Sequence, residues 1–278
     1  HEQRDRYVRR SMEEEEWIES PDGWGKDGDG KRRNGGDDEE DAVVDLFADN
    51  DPRDCFEFRV RRHRKERDGA AAVTTKTIRL TGFKLDSGET AKSTGVTLWQ
   101  AAPRLASFIM VPERASEMIA GRKVLELGAG LGLCGIVAHH LGAERVVLTD
   151  GDTNSLREMR RNVESNPRDD DGETVAKRDS ICCRQLLWGS SLNDHPFKKE
   201  FGTFDTILAA DVIYTEESIK LLFNTVSMLM KPDGQFVLSW LTRWNNVPTD
   251  LVLGGAEAKN MCWTQPEEGI YIMRREQM

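Results

Sequence analysis

Residues 124–135 of this chain read as a short apolar strand, a glycine-rich turn and the start of a helix. Their sequence is Val-Leu-Glu-Leu-Gly-Ala-Gly-Leu-Gly-Leu-Cys-Gly. Glycine lets the backbone take left-handed angles and approach a ligand closely, and the helix that follows presents free N–H groups. A strand that runs directly into such a turn is typical of sheets whose strands alternate with helices. The segment therefore predicts an α/β fold with a ligand site at the turn.

The rest of the sequence after Thr97 supports this prediction, because strand-length apolar segments alternate with segments of helical spacing. Strands are predicted at Lys123–Leu127, Arg145–Thr149, within Val175–Leu187, at Phe204–Val212 and at Gln235–Trp240. Helices are predicted at Leu98–Val111, Leu133–Leu141, directly after Asp150 and at Ile219–Met230, with a closing hairpin at Met261–Thr264 and Gly269–Arg274. Alternation of this kind produces a mostly parallel sheet covered by helices on both faces.

The N-terminal part, residues 1–54, has a different composition. It holds 19 acidic and 9 basic side chains, which accounts for the whole net charge of −10. Glycine and charged residues dominate it, so it cannot bury enough apolar surface to offset the entropy of ordering. We expect a disordered acidic tail here.

Residues 55–93 predict a β-hairpin that precedes the main domain at 94–278. Phe56–Val60 alternates in polarity, a basic run follows at Arg61–Arg67, and a second strand pattern covers Val73–Phe83. The basic run predicts a charged hairpin tip. It is open whether this tip contacts RNA, serves nuclear import or is only a solvated loop.

Several classes of protein are disfavoured. The best apolar run, Ile207–Tyr214, falls far short of the roughly 18–20 residues of a membrane span. A pI near 5.2 argues against general attraction to nucleic acid, so we expect neither a membrane nor a nucleic-acid partner. The five cysteines form no CxxC pair, and Cys134 with His139 and His140 fits no common zinc spacing. We expect no metal, and a reduced compartment: the cytoplasm, with the nucleus also open.

Two cofactors fit the glycine turn on the motif alone. Gly130-x-Gly132-x-x-Gly135 satisfies the dinucleotide fingerprint, and Asp150 ends the next strand, where its carboxylate can bind ribose hydroxyls. The turn comes unusually late in the chain for a dinucleotide domain, and no Tyr-x-x-x-Lys proton relay is present. Glu126 also suits a cationic amino group better than a pyrophosphate.

Four motifs carry a resemblance to a known family. Residues 126–132, Glu-Leu-Gly-Ala-Gly-Leu-Gly, resemble motif I of the seven-β-strand methyltransferases, which bind S-adenosylmethionine. Residues 94–103, Thr-Gly-Val-Thr-Leu-Trp-Gln-Ala-Ala-Pro, are similar to the segment before it, and 186–189, Leu-Leu-Trp-Gly, to a Leu-x-Trp-Gly element. Residues 209–214, Ala-Ala-Asp-Val-Ile-Tyr, match an Asp-x-x-Tyr signature. From about Ile78 onward the chain resembles the protein lysine methyltransferases of methyltransferase family 16.

This resemblance implies a Rossmann-like seven-stranded sheet, mostly parallel with a C-terminal antiparallel hairpin, and a defined set of site residues. The cofactor-binding residues would be Trp99, Gly128, Ala129 and Gly130, Asp150 on the ribose, Trp188 near the adenine, Ala210 beneath the methionine side and Glu126 at the methionine end. Asp211 and Tyr214 would stand where cofactor and substrate meet, with Asp211 orienting the incoming amine. A Trp in such a fold is also a common core residue, so Trp188 has a purely structural alternative.

The implied activity is S-adenosylmethionine-dependent transfer of a methyl group to a lysine of a protein substrate, by a monomer. One rival is a nucleic-acid amino-methyltransferase, although the rigid Pro-Pro pair common in those enzymes is absent between Asp211 and Tyr214. Another rival is a non-catalytic scaffold that keeps the fold. The identity of the target does not follow from the sequence.

Overall fold

A seven-stranded sheet in the order β5-β4-β3-β6-β7-β9-β8 forms the centre of the protein, and β1 and β2 form a separate two-stranded sheet. The computed structural model describes residues 52–65, 71–168, 180–189, 196–241 and 247–276. The strands are β1 Arg53–Lys65, β2 Ala71–Phe83, β3 Lys123–Leu127, β4 Arg145–Asp150, β5 Ile181–Gln185, β6 Phe204–Ala210, β7 Met230–Ser239, β8 Met261–Glu267 and β9 Ile270–Arg275. Strands β3 to β7 are parallel, and β9 and β8 are antiparallel. The predicted fold class is confirmed.

Helices cover both faces of this sheet. They span Gly88–Lys92, Ala101–Met110, Leu133–His140, Thr153–Ser165, Pro196–Phe201, Glu216–Leu229 and Thr249–Glu257, with short helical turns at Thr94–Val96, Pro112–Arg114 and Ala115–Ile119. Successive strand residues alternate between two buried clusters: Leu125 and Leu127 belong to one layer, and Val124 to the other. Both faces of β3 are therefore buried against apolar side chains, as expected for a central parallel strand. In the described part of the chain, none of the helices is long and apolar enough to cross a membrane.

The strand order brings the glycine turn to the middle of one sheet edge. The chain passes from β3 to β4 on one side and later to β6 on the other, so the order reverses between β3 and β6. In open α/β sheets a crevice forms at this reversal, outside the carboxyl ends of the strands. Gly128, Asp150 and Asp211 follow or end β3, β4 and β6 at this edge.

One predicted boundary is corrected in β7. The sequence predicts a helix that ends at Met230 and a strand at Gln235–Trp240, but β7 begins at Met230 and includes residues 231–234. The register between β6 and β7 shifts between Phe204 and Thr206, and this irregularity accommodates the extra residues. Gly234 fits because an added Cβ would lie 3.0 Å from the carbonyl oxygen of Asp205.

The predicted hairpin is present, but its strands end at Phe83, and Gly88–Lys92 within the predicted range 55–93 form a helix. The basic run is also not confined to the tip. Strand β1 continues to Lys65, and Arg61–Lys65 pair with Ala71–Thr75. The backbone of a long antiparallel pair satisfies its own hydrogen bonds, so the charged residues extend the strand. The predicted tail lies outside the described residues, apart from 52–54.

Two asparagines dock the hairpin onto the helix Thr153–Ser165. The Asn162 amide accepts from the Thr81 N–H at 2.9 Å and donates to the Thr81 carbonyl at 3.1 Å. Asn166 bonds Arg79 in the same way, at 2.9 and 2.7 Å. Each amide thus presents the donor and acceptor that a further β-strand would offer, which satisfies the inner edge of β2.

We expect Asn162→Ala to lower the free energy of unfolding by about 2–4 kcal/mol, because partly buried main-chain groups lose their partners. These are the N–H and carbonyl of Thr81 and the carbonyl of Leu131, which Asn162 also bonds at 3.1 Å. Urea denaturation measures the change. Asn154→Ala, at an exposed position of the same helix, is the control. Equal losses in the two variants would contradict the docking role.

Candidate active site

The glycine turn after β3 adopts angles that favour glycine. Gly128 and Gly130 have φ of 62° and 53°, where a side chain is strained. A Cβ on Gly128 would lie 2.7 Å from Val212 Cγ1, and one on Gly130 would lie 3.1 Å from the Gly95 carbonyl oxygen. Both glycines are thus required by backbone angle and by close approach.

A cavity of about 680 Å³ opens at this turn, within the range of small-molecule sites. Of the ten predicted site residues, eight line it: Trp99, Gly128, Ala129, Gly130, Asp150, Trp188, Ala210 and Tyr214. The fold therefore brings together the ends of β4 and β6, the segments that follow β3, β5 and β6, and the loop that holds Trp99. Among the described residues, no group of His, Cys, Asp and Glu is arranged to hold a metal ion.

Asp150 at the end of β4 joins two neighbouring loops. One of its carboxylate oxygens accepts from the Gly130 N–H at 3.0 Å, and the other accepts from the Asp152 N–H at 2.9 Å. Burial raises the pKa of Asp150, and these two backbone bonds oppose that rise. Since each carboxylate oxygen has a second lone pair, Asp150 can still accept from ribose hydroxyls in the cavity.

Glu126 has a different position from the predicted contact at the methionine end. Its side chain is buried behind the glycine turn and is not part of the cavity lining described above. Its Oε2 accepts from the Gly135 N–H at 2.7 Å, so it connects β3 to the first turn of the helix Leu133–His140. Burial raises its pKa to about 8. Glu126 therefore holds the turn in shape from below.

Asp211 and Tyr214, the predicted catalytic pair, differ in solvent exposure. Asp211 is 6% exposed and is not part of the cavity lining, while Tyr214 is 50% exposed and lines the wall. Asp211 has φ of 59°, a rare angle for a residue other than glycine, and its N–H donates to the Ser239 carbonyl at 3.0 Å. Strained backbone of this kind concentrates at functional sites.

The two predicted tryptophans stand on opposite sides of the glycine turn in the sequence. Trp99 donates from Nε1 to the Thr94 carbonyl at 2.7 Å, which closes the loop that precedes its helix. Trp188 Cζ2 lies 3.5 Å from the position of a Cβ on Gly128, so its ring overhangs the turn. Trp188 also packs against the buried cluster beneath it. It thus combines the cavity role and the packing role that the sequence left as alternatives.

Several cavity residues were not predicted from the sequence: Ser93, Asp152, Ser155, Val212, Ser218 and Leu221 are among them. Asp152 carried a readable signal, because an Asp directly before a helix is a preferred N-cap, and its carboxylate indeed accepts from the Ser155 N–H at 3.1 Å. Serines carry no comparable signal, since their hydroxyls bond wherever the fold places them.

Comparison with known proteins decides the family. The family described as lysine methyltransferase matches residues 83–249, more than half of the chain. The chain belongs to the lysine methyltransferase family. The matched range contains all ten predicted site residues, whereas β1, β8 and β9 lie outside it. The resemblance inferred from the four motifs is confirmed.

Curated relatives in the lysine methyltransferase family share about half of this chain. Protein N-lysine methyltransferase METTL21A of Danio rerio is 34% identical over 148 residues, 53% of this chain and 61% of that protein. Calmodulin-lysine N-methyltransferase of Arabidopsis thaliana is 32% identical over 154 residues, 55% of this chain and 46% of that protein. EEF1A lysine methyltransferase 3 of Mus musculus is 32% identical over 142 residues, 51% of this chain and 53% of that protein. The chain thus spans about half to three fifths of these proteins.

The buried carboxyl of Glu126 predicts a pH-dependent stability. Its pKa rises from 4.5 to about 8 on folding, so the folded protein keeps a proton that the unfolded chain releases. The contribution of this proton to the free energy of unfolding has its full value below pH 4.5 and is lost as the pH rises through 8. Glu126→Gln does not titrate but keeps an acceptor for the Gly135 N–H.

We therefore expect the free energy of unfolding of Glu126→Gln to rise relative to that of the wild type, by up to about 1.4 kcal/mol per pH unit between pH 5 and 8. Urea denaturation of both proteins at pH 5, 6.5 and 8 measures the difference in free energy of unfolding. A difference that is constant across this range would show that Glu126 ionises in the folded protein as it does in the unfolded chain.

Proposed function

We propose that this protein is an S-adenosylmethionine-dependent protein-lysine N-methyltransferase. The observation that carries the proposal is the cavity at the glycine turn, which combines the Asp150 carboxylate with the exposed wall residue Tyr214, in a chain of the lysine methyltransferase family. A carboxylate suits a ribose, and a half-exposed aromatic wall suits a side chain that enters from solvent.

The residues present fit the proposed cofactor. Gly128 and Gly130 line the cavity and carry no side chains, so a nucleoside can lie close to the backbone there. Asp150 offers free lone pairs for ribose hydroxyls, and Trp188 offers an aromatic surface beside the turn. When bound, S-adenosylmethionine supplies a methyl group already activated by its sulfonium.

The protein then has to align an amine and keep it neutral. A lysine with a pKa near 10.4 requires about 4–5 kcal/mol to lose its proton at pH 7. Apolar cavity walls such as Val212 and Leu221 disfavour the ammonium and so reduce that requirement. Tyr214 would flank the amine from the wall, and alignment itself supplies much of the rate gain in such transfers.

Asp211 would act from a more buried position than the sequence implies, below the exposed wall residue Tyr214. Asp211 is buried and directly follows β6, and its neighbours Ala210 and Val212 both line the cavity. From that position Asp211 can set the conformation of the Asp-x-x-Tyr segment and accept a hydrogen bond from an amine that reaches the cavity floor. Its left-handed backbone angle holds the chain in the sharp turn this requires.

The proposed partner is a protein that carries the acceptor lysine. Two of the relatives are named for calmodulin and for EEF1A, so relatives that share this segment differ in target. We infer that the target is chosen by parts outside the shared segment, with the hairpin β1–β2 and the strands β8 and β9 as candidates. Cytoplasmic localisation and a monomeric state stay predictions.

Gly130→Ala should weaken cofactor binding more than tenfold, because its Cβ would press on the Gly95 carbonyl beside the cavity. Gly121→Ala is a matched control: Gly121 also has a positive φ, of 68°, but an added Cβ meets nothing within 4 Å. Both variants carry the same backbone strain. Calorimetric titration with S-adenosylhomocysteine measures both affinities. Unchanged affinity in Gly130→Ala would refute the site.

Asp211→Ala should reduce methyl transfer at least a hundredfold while S-adenosylhomocysteine still binds, because the residue acts on the amine side. The assay incubates the 278-residue chain with methyl-labelled cofactor and either lysate protein or RNA. Label on lysine in a protein band, absent with the variant, supports the proposal. Label in RNA would favour a nucleic-acid methyltransferase, and cofactor binding without label in either fraction would favour a scaffold.

A further inference from the structure

Residues 93–99, called the strap below, form one wall of the cavity. Ser93, Thr94, Gly95 and Trp99 all line it, and the hydrogen bond from Trp99 Nε1 to the Thr94 carbonyl joins the two ends of the segment. The strap precedes the glycine turn by about 35 residues in sequence and belongs to no strand of the sheet. Its main chain bonds the preceding helix, since the Ser93 N–H donates to the Glu89 carbonyl at 3.0 Å, and side-chain contacts join it to the helix Thr153–Ser165.

Gly95 shows how closely the strap is inserted. An added Cβ would lie 2.2 Å from Ser155 Oγ and 3.4 Å from Gly130 Cα. In return, a Cβ on Gly130 would meet the Gly95 carbonyl oxygen at 3.1 Å. The strap thus fills the space between the glycine turn and the first turn of the helix Thr153–Ser165, with no room for a side chain at position 95.

Asp152 holds the strap at this point. As the N-cap of the helix Thr153–Ser165, its Oδ2 accepts from the Ser155 N–H at 3.1 Å and from the Ser155 hydroxyl at 3.0 Å. The same oxygen accepts from the hydroxyl of Ser93. An N-cap needs only the helix N–H, so the bond from Ser93 is additional to capping. It joins the strap to a residue 59 positions later in the chain.

The charge of Asp152 strengthens this bond. Burial opposes ionisation of its carboxyl, but the hydrogen bonds from Ser93 and Ser155 outweigh burial and lower the pKa. Hydrogen bonds to an ionised acceptor are stronger than bonds between neutral groups. The Asp152 N–H also donates to Asp150 at 2.9 Å, so the bonded chain runs from the strap to the carboxylate in the cavity wall.

We propose that Ser93 and Asp152 form a latch that fixes the strap against the glycine turn and thereby sets how tightly and for how long the cofactor is held. The inference rests on the proposed function. Asp152 is a positioning residue: it acts on the cofactor through the strap and Trp99. When the latch is broken, the strap loses its bond to the charged N-cap of the helix, and this wall of the cavity is held less firmly.

The test removes the bond from each side. Ser93→Ala deletes the donor, and Asp152→Ser replaces the charged acceptor with a residue that still caps a helix. In each single variant we expect the affinity for S-adenosylhomocysteine to fall about tenfold, the effect of losing one hydrogen bond to a charged group. Stopped-flow measurement should locate most of this change in a faster dissociation rate.

The double variant separates a latch from two unrelated defects. If the residues act through one bond, the double variant binds no more weakly than the single variants, whereas independent effects would multiply to about a hundredfold. The KM for the cofactor should rise in all three variants, while kcat at saturating cofactor falls far less. Thermal unfolding of the cofactor-free variants reports any general loss of stability.

Two failures are distinguishable. If the wild-type chain does not bind S-adenosylhomocysteine, the proposed function fails. If the wild type binds and Ser93→Ala binds with the same affinity and dissociation rate, or if the double variant is additive, the latch is refuted and the proposed function stands.

Discussion

The carboxylate of Asp150 is the contact on which the site depends. It accepts one backbone N–H from the glycine turn after β3 and another from the loop after β4, so it joins the two strand ends that flank the cavity. A parallel sheet fixes where strands end but leaves the following loops undefined. A partly buried acceptor bonded to both loops removes that freedom, and the same residue lines the cavity.

Other buried polar groups act in the same way around this contact. Glu126 fixes the glycine turn from below through Gly135, and Asn162 bonds the Leu131 carbonyl in the same turn. Asp152 fixes the strap from the side. Each group bonds main-chain or hydroxyl partners of a loop, so hydrogen bonds as well as apolar packing hold the cavity wall in place.

Sequence reasoning located the sheet and the position of the cavity, because strands followed by glycines or acidic residues mark the sheet edge. It failed where the outcome depends on the direction of a side chain. Glu126 lies on β3, where side chains alternate between the two faces of the sheet. The sequence alone does not show whether its side chain points toward the cavity or toward the helix Leu133–His140. Asp211 is deeper than expected because its backbone turns at φ of 59°. Helices such as Gly88–Lys92 and Thr249–Glu257 have little apolar periodicity of their own and depend on tertiary contacts.

The attachment of the hairpin has an evolutionary consequence. Asn162 and Asn166 bond only main-chain atoms of β2, at Thr81 and Arg79. Main-chain atoms are common to all sequences, so the outward side chains of β1 and β2 can change without loosening the joint. The hairpin therefore presents outward surfaces whose sequence is free to change without loss of these bonds to the helix Thr153–Ser165.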